Sequence, residues 1–467
     1  LWSNGDLVRE NLMARWTQKV DGVGSIDYAA QIWHTDQGLP GSDRQPTEHS
    51  RLRSRGSLQR VELETTRRLL PVRLTVRGFY QEDDLHYRDP ERELAVPGAS
   101  ATKADQALER WGYTALACKP FFFRDRSMWG FHSAEVMAQR RHERLRNLPP
   151  PDRTEEDERE RLSTVVSIGD RIEWAGGRLH ADLFYRWNHV ADNYTGSNPY
   201  QPFTAGPTHR TSTHGARAGL RASLGRGHTL KANYADQARF PTFVELFGYA
   251  GTIQRNPELR PETGWRADLG WQWDWPMRLL RANIETEAAV YTSRREQMIV
   301  LIRISERETK PVNLDRASLY GAEFSWRCTA RAARAADGRP AFFGHVHWQH
   351  TRDEGRAVLY HGKELTYHPP WQIQLGIEWP QGAWRLAYLA HYRDQAYWSR
   401  SNLPDYRTDA LWLHEAQLGW RPVSQGEISL RIENLYDARG EDIQGYPLPG
   451  RTWYAGITFY FEKDTGQ

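Results

Sequence analysis

WQIQLGIEW, residues 371–379, sets Trp371, Ile373, Leu375, Ile377 and Trp379 on one side of an extended chain and Gln372, Gln374, Gly376 and Glu378 on the other. A repeat of two marks a strand whose two faces meet different surroundings, whereas a helix needs apolar spacings of three and four. The same alternation runs through WRADLGWQWDW, where Trp265, Ala267, Leu269, Trp271, Trp273 and Trp275 oppose Arg266, Asp268, Gly270, Gln272 and Asp274. It returns near the C-terminus, with Trp453, Ala455, Ile457, Phe459 and Phe461 against Tyr454, Gly456, Thr458 and Tyr460.

Soluble sandwiches alternate too, so the discriminating detail is the aromatic residue at each end of the apolar face. Trp371 to Trp379 spans about 26 Å along a strand, and a tilt of about 40° reduces this to about 20 Å of depth. An outer-membrane barrel carries an apolar band about 25 Å tall between two aromatic girdles. The apolar face is therefore expected to meet outer-membrane lipid, and the fold class expected is all-β, a transmembrane antiparallel β-barrel.

Segments of this kind number about nineteen, centred near residues 14, 30, 57, 78, 112, 135, 167, 187, 216, 233, 268, 290, 321, 345, 371, 390, 415, 430 and 455. Short turns such as Ala175-Gly176-Gly177, Gly225-Arg226-Gly227 and Ser424-Gln425-Gly426 alternate with long polar stretches near 37–50, 87–105, 146–160, 197–208, 241–260, 303–311, 353–361, 399–407 and 437–448. Short turns are periplasmic and long loops extracellular in such barrels, so the first and last strands both run toward the periplasm. Bacterial barrels normally have an even strand number with both ends periplasmic, so the reading expects an odd number of strands before Leu1, about 22 in all. Residues 1–467 are accordingly expected to be one barrel domain, truncated at its N-terminus. Cys118 and Cys328 fall about eight strands apart, far beyond the roughly 7 Å a disulfide allows, so both thiols are expected to be free.

Composition narrows the function. Of 467 residues 39% are hydrophobic, and charged residues interrupt every stretch before the roughly 18 to 20 apolar residues of a membrane-spanning helix. A net charge of +3, from 62 basic and 59 acidic residues, lacks the concentrated basic footprint of a nucleic-acid binder. No GxSxG, HExxH or Walker-type motif occurs, so no enzyme and no cofactor are expected. His345 and His347 share a strand face but are expected to be polar lumen residues rather than metal ligands. The run PDRTEEDERER, residues 151–161, is expected to be a solvated loop.

The segment FPTFVELFGYAGTIQRNPELRPETGW, residues 240–265, resembles the TonB-dependent outer-membrane receptor family. The matching residues are Arg239, Pro241, Thr242, Glu245, Leu246, Asn256, Pro257, Leu259, Pro261 and Glu262. Further agreement comes from Gly38-Leu39-Pro40-Gly41, from Asn434-Leu435-Tyr436-Asp437, and from GYPLPGRTWYAGITFYF, whose Phe461 matches the aromatic end of such barrels. Physically, Pro257 and Pro261 fix φ and remove donors, which suits a loop-folding device, and a structural role is expected for the set.

The resemblance implies a monomeric outer-membrane receptor that takes up a scarce large solute, a siderophore-like or cobalamin-like ligand or haem. It also implies a plug domain inside the barrel, through which the TonB complex acts. No residue is assigned to substrate from the sequence. The competing reading is a passive porin-type channel. A soluble propeller would need blade repeats of about 40 to 50 residues, and none is visible.

Overall fold

Residues that alternate between two environments gain most as strands of a sheet with unlike faces, and this governs nearly the whole chain. The computed structural model describes residues 4–39, 41–42, 45–65, 72–94, 103–124, 129–148, 157–195, 209–247, 253–254, 256–277, 281–304, 309–330 and 338–460. Nineteen long strands follow one another: Leu7–Val20, Gly24–Gly38, Arg51–Thr65, Arg73–Arg88, Lys103–Arg124, Trp129–Leu148, Asp157–Trp174, Leu179–Thr195, His209–Gly225, His228–Arg239, Glu262–Met277, Ala282–Arg303, Thr309–Ala330, Ala341–Asp353, Trp371–Gln381, Trp384–Arg393, Leu411–Val423, Gly426–Glu433 and Thr452–Phe459. Each pairs antiparallel with the next, in one continuous sheet. Among the described residues no helix is long and apolar enough to cross a membrane.

Register aligns the apolar residues of successive strands. Leu269 stands opposite Val290, Val290 opposite Ala322, and Ala322 opposite Trp348, which meets Trp371. Ile373, Leu375 and Ile377 lie between Val346, Gly344 and Phe342 on one side and Tyr392, Ala390 and Tyr388 on the other. This face is left uncovered: Leu269 is 56%, Val290 55% and Ile457 68% exposed. Aromatic contacts border it at both heights. Near the short turns Trp273 stacks on Trp275 at 4.9 Å and Trp384 on Trp420 at 5.5 Å. Toward the long loops Trp348 meets Trp371 at 6.3 Å and Tyr392 meets Trp412 at 5.0 Å. Gly344 makes room on this face for the ring of Trp326, against which a Cβ would collide.

The opposite face is laced by ion pairs between neighbouring strands, including Arg110–Asp83 at 2.9 Å, Arg161–Asp192 at 2.6 Å and Arg171–Glu135 at 3.1 Å. His347 belongs here, with Nε2 2.6 Å from the Tyr291 hydroxyl. Cys118 and Cys328 are both free; Cys118 shares the polar face with Glu135, its register partner, while Cys328 pairs with Ile284 and Phe342 on the apolar one. Turn chemistry explains the tight ends: Ala175, Gly176 and Gly177, and again Gly225, Arg226 and Gly227, all have positive φ.

Several expectations need correction. The strand expected near 371 begins there, because residues 354–370 form turns of their own rather than ending at 361. The charged run 151–161 is not all loop. Strand Asp157–Trp174 already includes its last five residues, Arg159 and Arg161 are buried, and residues 151–156 lie outside the described set. Across-strand partners, Asp192 for Arg161 and Arg144 for Glu158, draw these charges into the sheet. Among the described residues, strands Leu7–Val20 and Thr452–Phe459 each pair on one side only. In an antiparallel series of nineteen they run in the same direction, so they cannot form an antiparallel pair with each other.

Two long loops near the first of these edges are tied by buried polar groups. Thr47, Ser50 and Asp89 are fully buried. Asp89 accepts the N–H groups of Glu93 at 2.8 Å and Leu94 at 3.0 Å. Glu93 accepts those of Glu48 at 2.7 Å, His49 at 2.9 Å and Ser50 at 3.0 Å. Burial raises the pKa of Glu93, but the backbone donors of His49 and Glu48 and the Ser50 hydroxyl outweigh it and bring the value down to about 2. A carboxylate held below its unfolded pKa of about 4.3 stabilises above that value, and the contribution is lost as pH falls toward 2. Hydrogen exchange should accordingly show the amides of residues 48–50 protected from pH 7 to about 4 and progressively opened between about 4 and 2. Protection unchanged across that window would refute the assignment.

Candidate functional site

The loop between strands His228–Arg239 and Glu262–Met277 folds into a knot built from the motif residues. Thr242 and Glu245 form a reciprocal cap on the short helix Phe243–Phe247. The Thr242 N–H donates to Glu245 Oε2 at 2.8 Å, and the Glu245 N–H donates to Thr242 Oγ1 at 3.3 Å. The T-x-x-E spacing that signals such a cap is present in the sequence, yet the helix was not among the elements expected from it. Arg239, at the end of its strand and paired in register with Glu262, reaches Glu245 at 2.9 Å and Glu262 at 3.4 Å.

Glu262 is buried at 5% exposure, and this decides its role in the knot. A lone carboxylate there would be costly, and it is compensated by Arg239, by Arg295 and by the N–H of Ile299 at 3.2 Å. Leu246, Leu259 and Ile299 form a small apolar cluster alongside. Asn256 accepts the Glu258 N–H at 3.2 Å and donates to the Pro311 carbonyl at 2.9 Å, an Asx turn that anchors the segment to the next hairpin. Pro257 is exposed and Pro261 half-buried, at the corners of the returning segment. The Pro241 carbonyl accepts from Arg161 at 2.6 Å, and the Arg161 guanidinium lies 5.1 Å from the Phe243 ring centroid. Phe461 lies outside the described residues.

Beneath the knot, on the polar face, is a cavity of about 790 Å³. Six arginines line it, Arg141, Arg171, Arg186, Arg217, Arg239 and Arg295, each from a different strand, with Glu135, Asp236 and Glu262 as its carboxylates. Gly215 and Gly264 hollow the wall between them. Arg171 pairs with Glu135 at 3.1 Å, Arg217 with Asp182 at 3.4 Å, and Arg239 and Arg295 share Glu262. Arg186 has no carboxylate within salt-bridge distance among the described residues, and its register neighbours Ser167 and Gly215 are uncharged. Guanidinium groups are planar, permanently charged forks that bind carboxylate or phosphate through two parallel bonds. The arrangement suits an anionic solute.

Of these arginines sequence reading singled out only Arg239, as a motif residue, because one basic residue per strand is invisible until register brings the strands together. The signal available was a charged residue on the polar face near the same height of consecutive strands.

The profile of the family described as TonB dependent receptor-like, beta-barrel matches residues 4–435. Among solved structures, copper transporter OprC has a TM-score of 0.73 at 13% identity, with 98% of this chain and 72% of that one covered. The siderophore receptor PiuA from Acinetobacter baumannii gives 0.71 at 13%, covering 98% and 74%. Ferric citrate transporter FecA in its unliganded form gives 0.74 at 12%, covering 98% and 71%. At these identities the structural likeness speaks for the fold alone.

Proposed function

This chain belongs to the TonB-dependent receptor-like β-barrel family, and we propose that it forms the wall of an outer-membrane importer that captures a scarce, large, anionic solute for TonB-energised uptake. The observation that carries this reading is the two-faced wall, apolar and aromatic-rimmed outside and charged within, with an arginine-lined cavity beneath an extracellular loop knot. Uncovered apolar surface on this scale is unstable in water, and lipid acyl chains cover it at no cost in polar desolvation. The family consists of receptors and transporters, which accords with the lack of a catalytic arrangement in the reading of the sequence.

A ferric siderophore of the carboxylate or catecholate type, or haem with its propionates, fits the excess of arginine better than cobalamin does. In this reading the barrel works as a monomer with a plug domain that bears the TonB-contacting segment. Its two edge strands are bridged by an odd number of further strands, since unpaired N–H and C=O groups cannot face hydrocarbon. Three strands would bring the wall to about 22.

Growth under iron limitation on a panel of siderophores and haem, with a cobalamin uptake assay beside it, tests the substrate class. Rescue by an anionic iron chelate is expected, and Arg186→Gln should weaken its capture about tenfold by removing one charge-assisted contact. Rescue by cobalamin alone, or capture indifferent to Arg186→Gln, would contradict the proposal. Steady large conductance of the full-length protein in planar bilayers would favour a passive channel instead.

A further inference from the structure

Where the two tied loops meet, one imidazole nitrogen faces two carboxylates. His49 Nδ1 lies 3.4 Å from Glu93 Oε1 and 3.5 Å from Glu91 Oε2. Both separations exceed the roughly 2.7 to 3.2 Å of a good N–H···O hydrogen bond. They match a different requirement. Ligand atoms bound about 2.0 to 2.1 Å from one tetrahedral ion stand about 3.3 to 3.4 Å from one another. We propose that His49, Glu91 and Glu93 form a binding site for a divalent transition-metal ion of the zinc type on the long-loop rim of the barrel.

The lone pairs needed are available. Glu93 Oε2 receives the His49 and Ser50 N–H groups and the Ser50 hydroxyl, whereas Oε1 receives the Glu48 N–H and otherwise meets only the long contact with the His49 imidazole. One acceptor position on Oε1 is thus left for an ion. Among the described residues Glu91 has no partner other than His49, and His49 Nε2 has none. Two carboxylates neutralise a divalent charge, and the imidazole selects zinc-like ions over calcium and magnesium, which take oxygen ligands.

The site is also held in advance of binding. Glu93 is oriented by three backbone donors, and fully buried Ser50 and Asp89 fix the two backbones that present the ligands. Support of this kind keeps ligands close to their bound geometry. With three protein ligands one coordination position stays open to water or to an incoming donor atom. A bound ion would staple residues 46–50 to residues 89–94. His49 lies more than forty positions from Glu91 and Glu93, so no short metal-binding spacing announces the set. The site stands independently of the transport reading, since it depends only on the loops.

The test is isothermal titration of ZnCl2 into the full-length protein, purified in detergent and freed of metal by chelation. One ion per chain is expected, with calcium and magnesium unable to compete. His49→Ala and Glu91→Gln should each weaken binding at least about tenfold. Both replace side chains that carry few structural bonds, so the heat-dependent shift of the folded barrel on gels should be unchanged. X-ray absorption at the zinc edge should show an imidazole contribution that His49→Ala removes. Absence of saturable zinc binding, an affinity in either variant equal to the parent's, or an imidazole signal surviving His49→Ala would each overturn the proposal.

Discussion

Val290→Arg is expected to destabilise the folded barrel by about 2 to 4 kcal/mol, the cost of an arginine near the middle of a lipid-facing strand. Val290 sits opposite Leu269, between the heights of Trp265 and Trp275 on the neighbouring strand, and is 55% exposed. In a water-soluble protein so exposed a position would tolerate the change within about 0.5 kcal/mol. The same substitution therefore separates the two readings by several kcal/mol. Reversible unfolding in urea with the protein refolded into lipid vesicles measures it. His345→Arg, two strands along and on the opposite face, is the internal control: its side chain is on the polar side and should cost less than about 0.5 kcal/mol. Equal effects at the two positions would contradict the assignment of the faces.

Glu262→Ala is expected to cost about 2 kcal/mol, in the range of hydrogen bonds to charged groups. The carboxylate is nearly inaccessible, but Arg239 and Arg295 are each about two-fifths exposed, so water rehydrates them in part and moderates the loss. Ile299 loses an acceptor for its N–H at the same time. The consequence extends into the cavity, because the two arginines that Glu262 positions become free to move. Limited proteolysis should cut the segment 240–261 faster in the variant, and Glu262→Gln should recover part of the protection by keeping one acceptor. A variant that resists protease as the parent does would remove Glu262 from the knot.

The strands were legible because every one of them meets the same pair of environments, and a repeat of two is written directly into residues such as Leu269, Trp271 and Trp273. Direction was legible as well, through Gly176, Gly177, Gly225 and Gly227 in turns that need positive φ. The loops obey different physics. Residues 396–397 and 407–408, and again 441–443 and 446–447, form small hairpins inside long loops, where pairs this short leave no periodic trace. The cap of Thr242 and Glu245 was present in the spacing, but its five-residue helix is too short for an apolar face to develop.

The site divides along the same line. Arg239, Glu245 and Glu262 stood out through their local sequence, and the structure brings them into one network. Arg141, Arg186 and Arg217 come from separate strands and become neighbours of one cavity only through register. His49, Glu91 and Glu93 meet because Asp89 and Ser50 bury a junction between two loops, a tertiary event with no local signature.

The central claim is that one face of the sheet touches acyl chains while the other looks into a wet interior. Nitroxide labels placed in turn on cysteines at Ile373, Gln374, Leu375, Ile377 and Glu378, in a full-length background with Cys118 and Cys328 changed to serine, test it most directly in lipid vesicles. Collision with oxygen, which concentrates in hydrocarbon, should dominate at 373, 375 and 377, and collision with a water-soluble nickel chelate at 374 and 378. Nickel access at all five positions, or oxygen access at 374 and 378 with the odd positions shielded from both reagents, would contradict the account.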